Sequence, residues 1–308
     1  MNSLKRACLL GLSTLSLFAS SASAQSITIE KVLFAGPAST GLENDQLSGV
    51  LYKPANFSTS TGTRAMVLMH GCSGMWSFRQ KDAVNSDGSP NLANDTEKWG
   101  RKLAAEGIVA LVVDSFTQRE PSTLPEEDAA LWQDQCSSST YGGSVNPYTT
   151  RVQDAQAAWT YLAADSHIDS ARIGLMGWSH GAQAAMVESG VKTTTTSFRT
   201  TVLFYPGCGA ALGFGSPGAS TWRPQHALRF NIGTADSFYS NCNSRVNTAV
   251  SVYGATVSYS AYSGAGHSFD GGSQNWSTAP ASCVGLTANE CAMRNADVAS
   301  LSFLNTNL

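Results

Sequence analysis

The amino-acid sequence predicts an α/β domain: a mostly parallel central sheet with an antiparallel N-terminal edge and helices on both faces. Three observations lead there. Short aliphatic runs without alternation, Ile108 to Val113 above all, recur along the chain and suit strands buried on both faces. Segments with helical spacing of apolar residues lie between them. Two earlier runs, Ser26 to Leu33 and Leu47 to Tyr52, instead alternate apolar and polar residues, as half-exposed antiparallel strands do.

Taken in order, the first 24 residues read as a signal peptide outside the fold. Lys5 and Arg6 form a positive start, Leu9 to Phe18 an apolar stretch, and Ala22-Ser23-Ala24 a small-residue cleavage site before Gln25. The stretch falls short of the ~20 residues that span a bilayer, so export to the periplasm or medium is expected rather than membrane insertion. Losing Lys5 and Arg6 moves the formal charge from −3 to −5. Residues 25–308 are then expected to form one domain. After the two alternating strands come a strand at Ala65–Met69, a helix capped by Asp95 and running to Ala105, and a stop at Gly107. The aliphatic strand follows, then a helix at Tyr148–Ala164, a strand at Arg172–Met176 and a helix from His180. Strands at Thr200–Tyr205, Ala227–Ile232 and Ala255–Tyr262 and a helix at Ala292–Leu304 complete the set. Two long connections, Gly71–Asn94 and Ser115–Asn146, have the length of functional loops.

Composition excludes several classes of function. At 42% hydrophobic the chain can bury a core, and at 13% charged with no basic run it offers nothing to nucleic acid. Six cysteines remain beyond the signal segment: Cys72, Cys136, Cys208, Cys242, Cys283 and Cys291. An even number in an exported chain suggests disulfides, with 15 complete pairings open. Cys283 with Cys291 is the easiest pair, and the expected fold makes Cys208–Cys242 and Cys72–Cys136 plausible. No C-x-x-C and no histidine pair at i, i+4 is present, so neither a metal nor a cofactor is expected.

The chemistry centres on Gly177-Trp178-Ser179-His180-Gly181, a G-x-S-x-G between an expected strand and an expected helix. A serine in so sharp a turn stands above the sheet edge at a helix N-terminus, and small flanking residues let strand and helix approach. Its hydroxyl needs a base. Of His70, His167, His180, His226 and His267, the last follows the final strand in a Gly-rich loop, where ligands of such sheets bind. His180 should point away from its neighbour. The carboxylate that would hold His267 is expected to be Asp236, just past the Ala227–Ile232 strand, with Asp270 and Asp114 as rivals. The order Ser179, Asp236, His267 is that of the α/β-hydrolase fold. Two backbone amides, those of His180 and of Cys72 in His70-Gly71-Cys72-Ser73-Gly74, are expected to form the oxyanion hole, each worth ~3 kcal/mol of barrier. A Cys72–Cys136 bond would tether that loop.

With these residues in view, the chain resembles the dienelactone hydrolase family of α/β-hydrolases from about Leu47 to Leu304. The elbow, the His-Gly loop, Val112-Val113-Asp114-Ser115-Phe116, Phe204-Tyr205-Pro206 and the Asp236–His267 pair carry the resemblance. It implies a cofactor-independent ester hydrolase. The family's cysteine nucleophile is replaced by Ser179, and the loop at His70 lacks the family's accompanying glutamate. A general carboxylic ester, small or polymeric, is therefore the expected substrate rather than a lactone. Trp76, Phe116, Trp132 and Tyr141 are candidate pocket residues, and Arg119 a candidate partner for a substrate carboxylate. The alternatives are a polyester or polysaccharide-ester hydrolase, a serine peptidase, and a non-catalytic binding protein on the same scaffold. Oligomeric state is left open.

Overall fold

The structure, a computed structural model, describes residues 26–38, 40–77, 80–119, 135–136, 145–190, 198–272 and 280–308. The expected signal peptide falls outside these residues. Eight strands form one sheet in the order β1-β2-β4-β3-β5-β6-β7-β8. They are β1 (Thr28–Ala35), β2 (Gln46–Lys53), β3 (Thr63–Met69), β4 (Ile108–Asp114), β5 (Ile168–Trp178), β6 (Thr201–Phe204), β7 (Leu228–Gly233) and β8 (Val257–Tyr262). β1 and β2 form the antiparallel edge, β2 runs antiparallel to β4, and from β4 through β3 to β8 every neighbouring pair is parallel. This is the α/β-hydrolase architecture that the strand pattern predicts.

Helices α1 (Asn94–Ala105), α2 (Thr150–Ala163), α3 (His180–Gly190), α4 (Tyr239–Ser251) and α5 (Ala288–Asn307) cover both faces. Alternation along β2 shows how. Tyr52 meets Gly100 of α1, whereas Phe34, paired across to Leu47, stacks on Tyr161 of α2 at 5.0 Å. Leu47 and Tyr52 are five residues apart and so point to opposite sides. α1 and α5 are joined by Lys102 and Asp297 at 2.5 Å. β4 is buried at every position, as its aliphatic run requires. Truncating one of its side chains, Leu111→Ala for example, should cost about 2–5 kcal/mol.

Two expectations need correction. Asp95 is not the cap of α1: the helix begins at Asn94 after Ala93, and the Asp95 carboxylate accepts the Thr96 N–H at 2.8 Å. Helix α4 is not expected from the sequence, where it carries no clear apolar pattern. Only Cys242, Arg245, Val246 and Ala249 of it are buried, so one narrow stripe with a buried arginine holds it. Arg245 makes up for the missing apolar area by donating to the carbonyls of Cys208, Gly209 and Gly215. Its neighbour Cys242 is disulfide-bonded to Cys208; Cys72–Cys136 and Cys283–Cys291 are the other two bridges. No helix of the described residues is long and apolar enough to cross a membrane.

Candidate active site

Register places the candidate residues. Met69 of β3 aligns with Gly177 of β5, and Trp178 of β5 with Phe204 of β6. The loops after β3, β5, β6, β7 and β8 therefore leave from one edge, the carboxyl end of the sheet. At that edge Ser179 has φ +47°, a left-handed conformation uncommon outside glycine. Its neighbours explain how the turn fits. A side chain at Gly177 would strike the Gly181 carbonyl, and one at Gly181 would strike the Met69 carbonyl. The serine is fixed by its N–H to the Phe204 carbonyl (3.0 Å) and by its own carbonyl, which accepts the Gln183 N–H at 2.9 Å and starts α3.

His267 comes from the loop after β8. Its Nε2 lies 2.8 Å from Ser179 Oγ and its Nδ1 2.7 Å from Asp236 Oδ2. Asp236 is fully enclosed, while the imidazole keeps 32% exposure. With a carboxylate at Nδ1, that nitrogen carries the proton and Nε2 is free to accept from the serine hydroxyl. The loops that bring these residues together are stitched. Thr234 N–H donates to the Tyr262 carbonyl and Ala235 N–H to the Ala265 carbonyl, both at 2.9 Å. Asp236 Oδ1 accepts the Phe238 N–H at 2.9 Å. Tyr205 and Phe238 pack against the imidazole with ring centroids at 4.9 and 5.5 Å.

The rival carboxylates are engaged elsewhere. Asp114 accepts from Trp76 Nε1 and from the amides of Phe116 and Thr117. Asp270 is buried, accepts from Trp178 Nε1 (3.0 Å) and the Tyr205 hydroxyl, and burial pushes its carboxyl up. The other histidines are engaged as well. His70 is held by the Gly71 carbonyl at Nδ1 and the Ser115 N–H at Nε2. His226 contacts Thr201 Oγ1, and burial pushes it down to about 4. His180 points away from Ser179 into the protein, with Nδ1 2.9 Å from Arg151 Nη1. Burial first, and the Arg151 charge second, push it down to about 2. Arg151 itself is buried and pushed down to about 9.

A cleft of about 720 Å³ opens over Ser179 and His267. Cys72 and His180 both line it. The His180 N–H stands in the first turn of α3 and has no intrahelical acceptor. The Gly71 Cα faces Ser179 and the Trp178 carbonyl so closely that a Cβ there would lie 3.8 and 3.7 Å from them. The candidate pocket residues fare differently. Trp76 and Phe116 are buried and neither lines the cleft: Trp76 donates to Asp114, and Phe116 packs edge-on to His70 at 4.6 Å. Arg119 does not reach it either, because its guanidinium forks onto Asp154 at 2.8 and 2.7 Å and onto the Thr40 and Ser115 carbonyls. In all three cases partners distant in sequence satisfy the side chain, which its place in a long loop does not reveal. Trp132 and Tyr141 lie outside the described residues. In their place the cleft holds Asp95, Asn146, Tyr148, Gln183 and Phe238. The sequence gives no periodic signal for these, since they come from four separate places: the start of α1, the segment before α2 (Asn146 and Tyr148), the first turn of α3 and the approach to α4.

A sequence profile of the dienelactone hydrolase family matches residues 90–308. Among curated proteins none matches. Several solved structures share the architecture. A dienelactone hydrolase-like promiscuous phosphotriesterase from metagenomic libraries has a TM-score of 0.60 and 17% identity, over 91% of this chain and 98% of its own. Thermogutta terrifontis esterase 2, in a form phosphoramylated by tabun, has a TM-score of 0.57 and 17% identity, over 90% and 94%. Dipeptidyl peptidase 4 of Porphyromonas gingivalis has a TM-score of 0.59 and 17% identity over 91% of this chain, which spans 35% of that peptidase. At such identities the likeness speaks for the fold alone.

Proposed function

We propose, from the premise that the chain belongs to the dienelactone hydrolase family, that this carboxylic ester hydrolase works through an acyl-enzyme on Ser179, with His267 as base and Asp236 as its partner. One observation carries the reading: the unbroken line of contacts from Ser179 Oγ to His267 at 2.8 Å and from His267 to enclosed Asp236 at 2.7 Å. As Ser179 attacks the ester carbonyl, Nε2 of His267 takes its proton, and the Asp236 carboxylate steadies the resulting imidazolium. The negative oxygen of the tetrahedral intermediate turns toward the amides of Cys72 and His180. His267 then returns the proton to the leaving alcohol, and the same groups activate water to release the acid. The Cys72–Cys136 bridge tethers the first donor loop to the long connection after β4. No step draws on a metal or an organic cofactor.

Ser179→Ala is expected to lower kcat toward a chromogenic short-chain ester by roughly 10⁴–10⁶-fold with an unchanged melting temperature. Undiminished turnover would refute the assignment. A fluorophosphonate that fails to label Ser179 would favour a binding protein on this scaffold. We also infer that residues 1–24 are removed and that residues 25–308 act as one exported domain. Three disulfides support that address, because such bonds persist in oxidising compartments. Mass measurement of the exported protein should find Gln25 at its N-terminus.

A further inference from the structure

One side chain of the same cleft has no part in the steps above. Asp95, half-buried in the first turn of α1, lines it together with Tyr148 and Phe238. Among the described lining residues it is the one carboxyl group apart from the machinery, and none is lysine or arginine. Both rings are partly exposed. Behind Asp95, Asp270 and Asp297 face Lys98 and Lys102, which bind Asp297 at 3.7 and 2.5 Å, so that buried wall is balanced in formal charge and Asp95 is the carboxyl that reaches the cleft. Aromatic faces and a carboxylate in one cleft, with no lysine or arginine among its described lining residues, are the chemistry that recognises an alkylammonium group.

We propose that Asp95 is a specificity determinant that makes the cleft prefer esters bearing a positive charge, such as a quaternary ammonium, over neutral esters of the same shape. The proposal rests on the ester-hydrolase reading above. Five groups act on Asp95. They are Asp270 from the loop after β8, Tyr205 from the loop after β6, and Lys98, the Thr96 amide and its own amide from its own helix. Burial, then Asp270, push the carboxyl up to about 6 against the opposing pull of the amides and the lysine. The charge that attracts a cation is thus present above about pH 6 and is lost as the pH falls below it.

The test compares butyrylcholine with 3,3-dimethylbutyl butyrate, which share an acyl group and a shape and differ by one charge. Acid release gives kcat/KM for each, and the ratio divides out every protonation step that the two share. At pH 7.5 the ratio should be about ten in favour of the cation, the equivalent of ~1.4 kcal/mol. It should fall toward one at pH 5, and also at pH 7.5 in Asp95→Asn, which keeps the shape and loses the charge. A wild-type ratio near one at pH 7.5 overturns the proposal. So does a high ratio that survives both acidification and the substitution. If Asp95→Asn does not fold, the pH series of the wild-type protein decides between the same two outcomes. Turnover of neither ester while a fluorophosphonate labels Ser179 counts against the charge preference only; turnover of neither and no labelling removes the ester-hydrolase reading and the preference with it.

Discussion

Two histidines stand beside Ser179 and differ in almost every physical respect. His180 follows it in the chain, is buried, and meets the guanidinium of Arg151. His267 lies 88 residues further on, is one-third exposed, and meets the carboxylate of Asp236. A cation beside an imidazole opposes a second positive charge, whereas a carboxylate favours it. The first ring is therefore locked neutral and can only brace the turn whose amide it carries. The second is free to take a proton and give it back. Proximity in sequence and suitability as a base are thus separate properties, and the partner decides between them.

Within this pair the larger effect is expected on its favourable half. Asp236→Asn should leave the imidazole in place but in the wrong tautomer, lowering kcat by on the order of 10³–10⁴-fold in steady-state assays with a short-chain ester. Next comes the unfavourable half. Arg151→Met removes the donor to His180 and to Ser115 Oγ inside the protein, and denaturant unfolding should show a loss of about 2–4 kcal/mol. A similar loss, about 3–5 kcal/mol, is expected for Arg119→Ala, which strands the buried Asp154. KM for neutral esters should not move, because Arg119 lies away from the cleft.

The smallest effect concerns pH. His180 and His226 are held at about 2 and about 4 in the fold, below the ~6.5 of an unfolded chain. Between those values the unfolded chain binds protons that the native state refuses, so stability is full above about pH 6.5 and declines as the pH falls. His180→Gln, which keeps an acceptor for Arg151, should make that decline shallower in melting temperatures measured from pH 8 to pH 4. An unchanged slope would mean that His180 is not held neutral by its surroundings.

Much of the fold and the site is legible from residue order because the signals are local. An aliphatic run such as Ile108–Val113 has no environment but the middle of a covered sheet. A serine between Gly177 and Gly181 fits no ordinary turn, since each glycine marks a backbone approach that a Cβ would block. Asp236 and His267 can be placed because both follow strands, and loops after parallel strands share one edge. Helix α4 is not legible, because an arginine bonded to carbonyls does the work of apolar area there. Trp76, Phe116 and Arg119 sit in long loops and so suggest a face toward substrate, yet each finds its partner across the fold.

The sequence by itself determined the succession of strands and helices, the strained serine, and which histidine and carboxylate could reach it. These follow from short-range sterics and from the shared direction of the strands. Only the tertiary structure decided which charges meet: Arg151 beneath His180, Arg119 on Asp154, and Asp95 against Asp270 on the cleft wall. Such pairings join residues from different elements, and their effect depends on how completely packing removes water around them, which no local pattern encodes.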